Sequence, residues 1–234
     1  MKYPIIVAVI PAYNEEKTIY WVVQKTKKYV DRVIVVDDCS TDDTGRLAKR
    51  AGARVVRHAR NSGLGSSIRT GLKVAMKTKT DIVITLDGDG QHNPEDIQKF
   101  VSAISNGYDF VLGERDLRKY PFVKKLGNFF LQTATNFIAG TRLKDTESGF
   151  RAFRQNALEK LYLKSERYEI AVEIVFEVGR NELKATNVPI KVPIYVKGVG
   201  IIDGFKNFMF LMHRRERNWR SYIEDIKYVL RKKL

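Results

Sequence analysis

The sequence has few of the residues that cross-link chains or span membranes. Its 234 residues include a single cysteine, Cys39, which excludes an intrachain disulfide and a cysteine-based zinc cluster and suits a reducing compartment. No run of eighteen apolar residues occurs, and the apolar run after Pro4 is too short for a signal peptide. We therefore expect no signal peptide and no transmembrane helix. The expected location is cytoplasmic, with the protein peripheral on the inner face of the cell membrane.

Acidic residues are outnumbered by basic ones. The chain has 42 Lys and Arg against 27 Asp and Glu, a net charge of +15, which calls for an acidic partner. Nucleic acid, anionic lipid and phosphorylated small molecules all meet that requirement. The sequence has no recognised nucleic-acid-binding motif, and its basic residues are spread rather than interleaved with aromatics on one sheet. We therefore expect no nucleic acid among its partners.

Short β-branched runs alternate with amphipathic stretches over the first 115 residues. This alternation predicts an α/β fold with a mostly parallel, Rossmann-like sheet and helices on both faces. Ser40 and Asn93 are expected to cap the helices that follow them. Strands are predicted at residues 4–10, 32–37, 54–57, 81–86, 109–112 and 185–192, and helices at 15–29, 41–50, 66–77, 94–105, 121–140, 155–163 and 168–180.

The pattern changes beyond residue 115 without a glycine- or serine-rich linker. We predict one domain over residues 1–204 and a basic amphipathic helical extension over residues 205–234. The extension has nine Lys or Arg against three acids, and its apolar and aromatic residues share helical faces. Such helices suit a lipid interface. A helix packed on the domain with a solvated basic side has the same pattern, so both interpretations stay open.

Carboxylates follow two of the predicted strands. One strand ends in Asp37-Asp38 and another in Asp87-Gly88-Asp89. Ligands bind beyond the carboxyl ends of parallel strands, and acids that converge there repel each other unless a cation offsets them. Mg²⁺ and Mn²⁺ prefer oxygen ligands. The pattern favours a divalent metal site over the alternative, a plain turn of Asp and Gly.

Two neighbouring features have weaker signals. His92 is expected to be a polar loop residue near this site. The segment from Asn61 to Gly65 opens a predicted helix and could hold a phosphate on its amides. A loop that needs a flexible glycine backbone explains it equally well.

Short motifs occur in a fixed order along residues 4–155. They are Pro11-Ala12-Tyr13-Asn14-Glu15-Glu16, Val35-Val36-Asp37-Asp38-Cys39-Ser40-Thr41-Asp42, Arg60-Asn61-Ser62-Gly63-Leu64-Gly65, Leu86-Asp87-Gly88-Asp89-Gly90-Gln91-His92, Gly113-Glu114-Arg115 and Asp145-Thr146-Glu147-Ser148-Gly149-Phe150-Arg151. Together they resemble family 2 glycosyltransferases of the GT-A fold, and within that family the polyprenyl-phosphate or dolichyl-phosphate hexose synthases.

The resemblance implies a donor site and its ligands. It implies a nucleotide-sugar half at about residues 1–115, an acceptor half at about 116–204, and GDP-mannose or UDP-glucose as donor. Asp37 would contact the base or ribose. The implied nucleotide-binding residues are Pro11, Ala12, Tyr13, Glu15, Asp37, Asp38 and Asp87, the implied ligands of Mg²⁺ or Mn²⁺ are Asp87, Asp89 and Gln91, and the implied catalytic residues are Asp89, Arg115 and Arg151.

The implied acceptor is a polyprenyl or dolichyl phosphate. Its phosphate is already anionic near neutral pH, so transfer needs no general base, and a direct, inverting displacement is expected. Arg115, Lys124, Lys125 and Arg151 would hold that phosphate. Lys124 and Lys125 could equally be solvated residues of a helix face.

The sequence departs from the family pattern in two places. The usual Gly-Ser-Arg has Glu114 in place of serine, and a late basic element is reduced to residues 197–200. The alternative function is transfer to a glycan, a protein or a small alcohol, which needs a carboxylate base. Glu147 and Glu173 are the candidates for that base.

Overall fold

The computed structural model of the chain describes residues 3–116 and 122–192, and for residues 122–126 it describes the backbone alone. The strands are β1 (Ile6–Ala12), β2 (Arg32–Asp37), β3 (Arg54–Arg57), β4 (Ile82–Thr85), β5 (Phe110–Arg115), β6 (Arg151–Arg154) and β7 (Ala185–Ile190). The helices are α1 (Ile19–Thr26), α2 (Thr44–Arg50), α3 (Leu64–Met76), α4 (Ile97–Ser105) after a 3-10 turn at Pro94–Asp96, α5 (Phe122–Ala139), α6 (Gln155–Leu158) and α7 (Ile170–Arg180).

The described strands form one seven-stranded sheet in the order β3-β2-β1-β4-β6-β5-β7. Strand β6 is antiparallel to both of its neighbours, and the other pairings are parallel. The predicted α/β class with a mostly parallel sheet is confirmed. The prediction missed β6, because its two apolar residues are flanked by arginines and it lacks the Val/Ile run by which buried strands are recognised.

Apolar cores cover both faces of the sheet. Alternate residues of β1 point to opposite sides, so that Ala8 and Ile10 pack in the core with α1, α2 and α4, whereas Val7 and Val9 pack with α3 and α7. Each fully buried valine or isoleucine contributes about 1.5–3 kcal/mol through removal of apolar surface from water. This double-sided burial is why the strands carry continuous Val and Ile.

Two helix starts differ from the sequence prediction. Helix α1 begins at Ile19, because Asn14 adopts a left-handed conformation (φ 56°) and the segment after it forms a loop. Helix α2 begins at Thr44, and the expected cap at Ser40 was wrong: the Ser40 hydroxyl accepts the Asn14 amide at 3.0 Å. The cap at Asn93 is confirmed by the Glu95 amide, which donates to the Asn93 side chain at 3.2 Å.

The strand register brings the polar strand ends to one edge of the sheet. Ala12, the last residue of β1, is paired with Asp37, and β4 ends at Thr85 just before the Asp-Gly-Asp segment. Because β6 is antiparallel, its first residue, Arg151, lies opposite Thr85. Arg115 ends β5 on the same side. The sheet therefore gathers acids and arginines from distant parts of the chain.

Candidate active site

The carboxylate of Asp87 lies directly under the loop that leads into β6. A Cβ built on Gly149 would lie 2.6 Å from both carboxylate oxygens of Asp87. The Asp87 amide donates to His92 Nδ1 at 3.1 Å, and the Asp87 side chain is 39% exposed. Asp87 is thus held through its backbone while its carboxylate stays open on one side.

Asp89 and Gln91 form a compact turn beside Asp87. The Gln91 amide donates to Asp89 Oδ1 at 2.9 Å, and Gln91 Nε2 donates to Asp89 Oδ2 at 2.5 Å. Thr18 Oγ1 donates to the Gly88 carbonyl at 2.8 Å and ties this turn to α1. The segment is therefore braced by contacts that a plain solvent-exposed turn does not need.

The donor set fits a metal that shares its ligands with a phosphorylated substrate. No group of three or more His, Cys, Asp or Glu that could hold a metal occurs among the residues that the structure describes. Mg²⁺ is usually held by one or two carboxylates and completed by substrate phosphates and water. Asp87 and Asp89 match that requirement, and the Asp87 side chain, which packs closely on Gly149 on one side, is still 39% exposed. The metal role of Asp87, Asp89 and Gln91 stays a prediction.

His92 has a structural role that sequence reasoning missed. It is buried, and its ring lies 5.1 Å from the ring of Phe150, which stacks on Phe100 at 4.4 Å. Burial lowers the pKa of His92, and the nearby carboxylates of Asp87 and Asp89 oppose that shift. A neutral ring that accepts the Asp87 amide at Nδ1 positions the acid. A single loop histidine gives no spacing signal from which this could be predicted.

Arg151 is a buried cation next to Asp87. Its side chain is 1% exposed, and burial lowers its pKa to about 10, opposed first by Asp87 and then by Asp145. It therefore stays charged at neutral pH. Arg151 Nε and the hydroxyl of buried Ser148 have no hydrogen-bond partner among the described residues. A buried N–H without a partner costs about 1–3 kcal/mol, so this donor is well suited to meet an anionic ligand.

Arg115 is held in place by Asp145. Two guanidinium nitrogens of Arg115 donate to the two oxygens of Asp145 at 2.7 and 2.6 Å, and the Arg115 amide donates to Oδ2 at 3.0 Å. The Asp145 amide in turn donates to Gln132 Oε1 of α5 at 3.0 Å. Beside this pair Glu114, the departure from the family pattern, contacts Lys144 at 3.2 Å on the surface. The two ion pairs fix the end of β5 to the loop before β6.

Asp37 is turned inward, and Arg57 lies in front of it. Asp37 is fully buried, and its carboxylate accepts the Ser40 amide and Arg57 Nη1, each at 2.8 Å. A Cβ on Gly45 would lie 2.6 Å from Asp37 Oδ2, so helix α2 closes the remaining side. The Arg57 side chain is 53% exposed. A contact between Asp37 and a ligand stays a prediction, and Arg57 is the exposed group that sequence reasoning missed.

Other implied nucleotide residues lie in the loop after β1. Pro11 and Ala12 are buried, Tyr13 is exposed, and Glu15 is half-buried. The Glu15 amide donates to Thr44 Oγ1 at 2.7 Å, which fixes the loop to α2. Tyr13 is the most exposed side chain of this group, at 46%, and is therefore the most accessible to a ligand.

Asp38 anchors the loop before α3. Its carboxylate accepts the amides of Ser62 and Gly63 at 2.9 and 2.7 Å and contacts His58 Nδ1 at 2.7 Å. Direct ligand contact by Asp38 stays a prediction. The phosphate hypothesis for the start of α3 was wrong, because these amides are occupied and a Cβ on Gly65 would lie 2.5 Å from the Ser165 carbonyl. The glycines allow two backbone segments to approach each other.

The remaining predicted residues separate into two groups. Glu173 is wrong as a general base, because it is buried and accepts the amides of Lys164 and Ser165 at 2.9 and 2.8 Å. The helix predicted at 155–163 is shorter in the structure, where α6 spans only Gln155–Leu158. The side chains of Lys124 and Lys125, and residues 197–200 and 205–234, lie outside the described residues. Within the described part, no helix is long and apolar enough to cross a membrane.

Acids and arginines that converge at the carboxyl edge of a parallel sheet suit ligands with several phosphates. The model of the family described as Glycosyl transferase family 2 matches residues 7–162, and the chain belongs to that family. It is a glycosyltransferase, as the sequence motifs led us to expect.

Relatives with curated names cover most of the chain. The UDP-N-acetylglucosamine–dolichyl-phosphate N-acetylglucosaminyltransferase of Methanococcus voltae is 35% identical over 239 residues, which cover 89% of this chain and 95% of the relative. The polyprenol monophosphomannose synthase of Mycolicibacterium smegmatis is 26% identical, with 84% and 80% covered. The chain is thus similar to sugar transferases named for polyprenyl phosphates.

A solved structure confirms the GT-A fold. Glucosyl-3-phosphoglycerate synthase from Mycobacterium tuberculosis, crystallised with phosphoglyceric acid, superposes with a TM-score of 0.73 at 25% identity and covers 90% of this chain and 80% of its own. The same synthase has also been crystallised with Mg²⁺ and uridine diphosphate, at a TM-score of 0.72 and 22% identity over 90% of this chain and 79% of its own.

Proposed function

We propose that this glycosyltransferase moves a hexose or N-acetylhexosamine from a nucleotide-sugar to a polyprenyl (dolichyl) phosphate, with inversion at the anomeric carbon. The observation that carries the proposal is Arg151, which is buried beside Asp87 and whose Nε has no hydrogen-bond partner among the described residues. The reaction must bring two anions together, the donor diphosphate and the acceptor phosphate. The buried guanidinium can attract the acceptor phosphate, and the neighbouring carboxylates can hold a cation on the donor diphosphate.

The donor diphosphate is held at the Asp-Gly-Asp turn. Asp87 and Asp89, with the amide oxygen of Gln91, are the proposed ligands of Mg²⁺ or Mn²⁺. When bound, the ion would neutralise charge on the departing nucleoside diphosphate. His92 keeps the Asp87 backbone in place through the 3.1 Å bond to its amide. Because Gly149 has no side chain, the Asp87 carboxylate can pack against the loop before β6.

The acceptor phosphate is proposed to bind between Arg115 and Arg151, together with Lys124 and Lys125. Arg115 is oriented by Asp145 through bonds of 2.7 and 2.6 Å and is still 20% exposed. A phosphate monoester with a second pKa near 6 is ionised at neutral pH, so it attacks without losing a proton to the protein. The arginines orient the two anions and reduce their repulsion.

The proposal also concerns which base and which sugar the donor carries. The Methanococcus voltae relative favours UDP-N-acetylglucosamine, and GDP-mannose and UDP-glucose stay candidates. Tyr13 and Arg57 are the exposed side chains at the nucleotide end. We propose that the base lies against them.

The site of action is proposed to be the cytoplasmic face of the cell membrane. Residues 205–234, with nine basic residues and shared apolar faces, would bind the lipid surface. Deletion of residues 205–234 followed by vesicle flotation tests this: unchanged binding would exclude an anchoring role for them.

The decisive assay uses the full chain, Mn²⁺, a polyprenyl phosphate and each of the three donors. One donor should yield a lipid-phosphate sugar by mass spectrometry, and EDTA should abolish the product. Asp89→Asn should lower turnover by about 10²-fold or more, as loss of one electrostatic stabiliser does. Asp43→Asn, at an exposed ion pair with Arg46, is the matched control. Normal turnover by Asp89→Asn would contradict the metal assignment. Normal product formation in EDTA would contradict it too.

A second candidate function is transfer to an alcohol, with Glu147 as the base. It is favoured by the position of Glu147, whose charge acts on Arg151. Turnover with water-soluble alcohol acceptors, without any lipid phosphate and lost in Glu147→Gln, would establish it and refute the first proposal.

A further inference from the structure

Side-chain amides hold the backbone that leads from α5 to β6. Residues 140–150 form neither helix nor strand, so their backbone groups need partners outside regular structure. Asn136 of α5 supplies both partners for Leu143: its Oδ1 accepts the Leu143 amide at 3.0 Å, and its Nδ2 donates to the Leu143 carbonyl at 2.7 Å. One side chain thus satisfies both backbone groups of one loop residue.

Asn187 of β7 holds the next loop residue in the same way. Its Oδ1 accepts the Lys144 amide at 2.8 Å, and its Nδ2 donates to the Lys144 carbonyl, also at 2.8 Å. The same Nδ2 donates to the Leu112 carbonyl of β5 at 3.3 Å. An asparagine carries one acceptor and two donors on a planar amide, so it can replace the backbone of a neighbouring strand. The loop is therefore fixed both to α5 and to the sheet.

Asp145 follows these two residues directly and depends on the same support. Its backbone is left-handed, with a φ of 51°, a conformation that is uncommon outside glycine. Its amide donates to Gln132 Oε1 at 3.0 Å, so three consecutive loop amides donate to side-chain amide oxygens. The buried Asp145 carboxylate accepts two guanidinium bonds from Arg115. The direction of the Arg115 side chain therefore follows the backbone of residues 143–145.

We propose that Asn136 and Asn187 are positioning residues for the acceptor phosphate, and that they act on it through Asp145 and Arg115. Pairing through two bonds requires both guanidinium nitrogens to face both carboxylate oxygens, here at 2.7 and 2.6 Å. A small shift of the loop breaks that alignment. The proposal rests on the proposed function for the acceptor role of Arg115, but the effect on Arg115 itself can be measured without transfer.

Amide hydrogen exchange followed by NMR measures the effect on Arg115. The Arg115 amide donates to Asp145 Oδ2 at 3.0 Å, whereas the Gly113 amide in the same strand donates to the Phe150 carbonyl at 2.9 Å. In Asn136→Leu and Asn187→Leu, exchange at Arg115 should accelerate roughly tenfold more than exchange at Gly113. Equal acceleration at both amides, or none at Arg115, would overturn the proposal.

Asn181→Leu is the matched control for these variants. Asn181 is half-buried, and its Nδ2 donates to the Glu177 carbonyl at 2.9 Å at the end of α7. The substitution is chemically the same, but the bond that it removes supports a helix end and not the loop before β6. The control should leave exchange at Arg115 and the KM for the acceptor as in the wild type. A control variant that matched Asn187→Leu in both would overturn the proposal.

Steady-state transfer tests the consequence for the acceptor. Asn187→Leu should raise the KM for a polyprenyl phosphate by roughly tenfold, the value of one hydrogen bond to a charged group, and leave the KM for the nucleotide-sugar unchanged. In an Arg115→Gln background it should add nothing, because residues that act as one unit are not additive. Asn187→Asp keeps the acceptor for the Lys144 amide and loses the donor for its carbonyl, so its rise should be smaller.

The aspartate variant also serves if the leucine variant does not fold. Additive effects of the changes at positions 187 and 115, or an equal rise in both KM values, would overturn the proposal. Absence of transfer to a polyprenyl phosphate by the wild type would refute the proposed function, and with it the role of Arg115 in binding the acceptor. The exchange experiment would then still decide whether the two asparagines position Arg115.

Discussion

The contact between Gly149 and Asp87 allows the site geometry to be tested with one methyl group. In Gly149→Ala the new Cβ would lie 2.6 Å from both Asp87 oxygens, whereas contacts below 3.0 Å are essentially never observed. The carboxylate must therefore move by at least 0.4 Å, the difference between those two distances, and by 0.8 Å to reach an ordinary 3.4 Å contact. Gly149 does not have a positive φ, so alanine adds no backbone strain.

The expected cost falls on catalysis more than on stability. Overpacking costs about 1–3 kcal/mol, and the lower value is expected here because Asp87 is partly exposed and can turn. Misplacement of a reacting group by about 1 Å costs on the order of 10²-fold in rate. We therefore expect turnover to fall by roughly tenfold to a hundredfold, with weaker Mn²⁺ binding.

The assay combines steady-state transfer with a Mn²⁺ titration followed by electron paramagnetic resonance of the free ion. Gly127→Ala on α5 is the control, since a Cβ there meets nothing within 4 Å. It should keep wild-type turnover. If Gly149→Ala matched the wild type in both turnover and Mn²⁺ affinity, the reasoning that Gly149 shapes a metal site at Asp87 would be refuted.

Three further predictions concern the supporting groups. Asp145→Asn removes the charge that holds Arg115 and should destabilise the fold by about 3 kcal/mol, as breaking a buried pair does; a urea unfolding curve equal to that of the wild type would contradict this. Arg57→Gln should raise the KM for the nucleotide-sugar by roughly tenfold with kcat retained, whereas a fall in kcat alone would place Arg57 elsewhere. Burial lowers the pKa of His92, so its contribution to stability is complete above the unfolded-state pKa of about 6.5 and is lost as the pH falls toward the folded-state value. In EDTA, the melting temperature should therefore drop more between pH 7.5 and 5.5 in the wild type than in His92→Gln, and equal drops would exclude this linkage.

Regular elements of the sheet could be predicted because their cause is local in the sequence. Strands β1, β2 and β4 are buried on both faces and are therefore rich in Val and Ile. The Asp87–Asp89 turn was found for a related reason, since acids directly after such a strand must lie at the ligand edge. Strand β6 had no such signal, because its place between β4 and β5 follows from pairing with residues far away in the chain.

Side-chain direction could not be predicted in the same way. Asp37 and Asp38 follow a buried strand as Asp87 does, yet the structure turns both carboxylates inward to hold Arg57 and the loop before α3. Which acid faces a ligand depends on the donors that other segments bring to it, here Arg57 and the Gly63 amide. Those donors are adjacent only after β2 and β3 have paired.

Arg151 is the residue at which stability and function are expected to oppose each other. A buried charge loses solvation, and replacement of buried ionic groups by apolar side chains of similar volume is often neutral or stabilising by about 1–4 kcal/mol. The partner that Arg151→Met leaves behind is Asp87, which is partly exposed and can be solvated by water. We therefore expect Arg151→Met to melt at or above the wild-type temperature while losing transfer by more than about 10²-fold. A variant that unfolds instead would mean that Arg151 is retained for the fold, and one that keeps its turnover would remove Arg151 from the site.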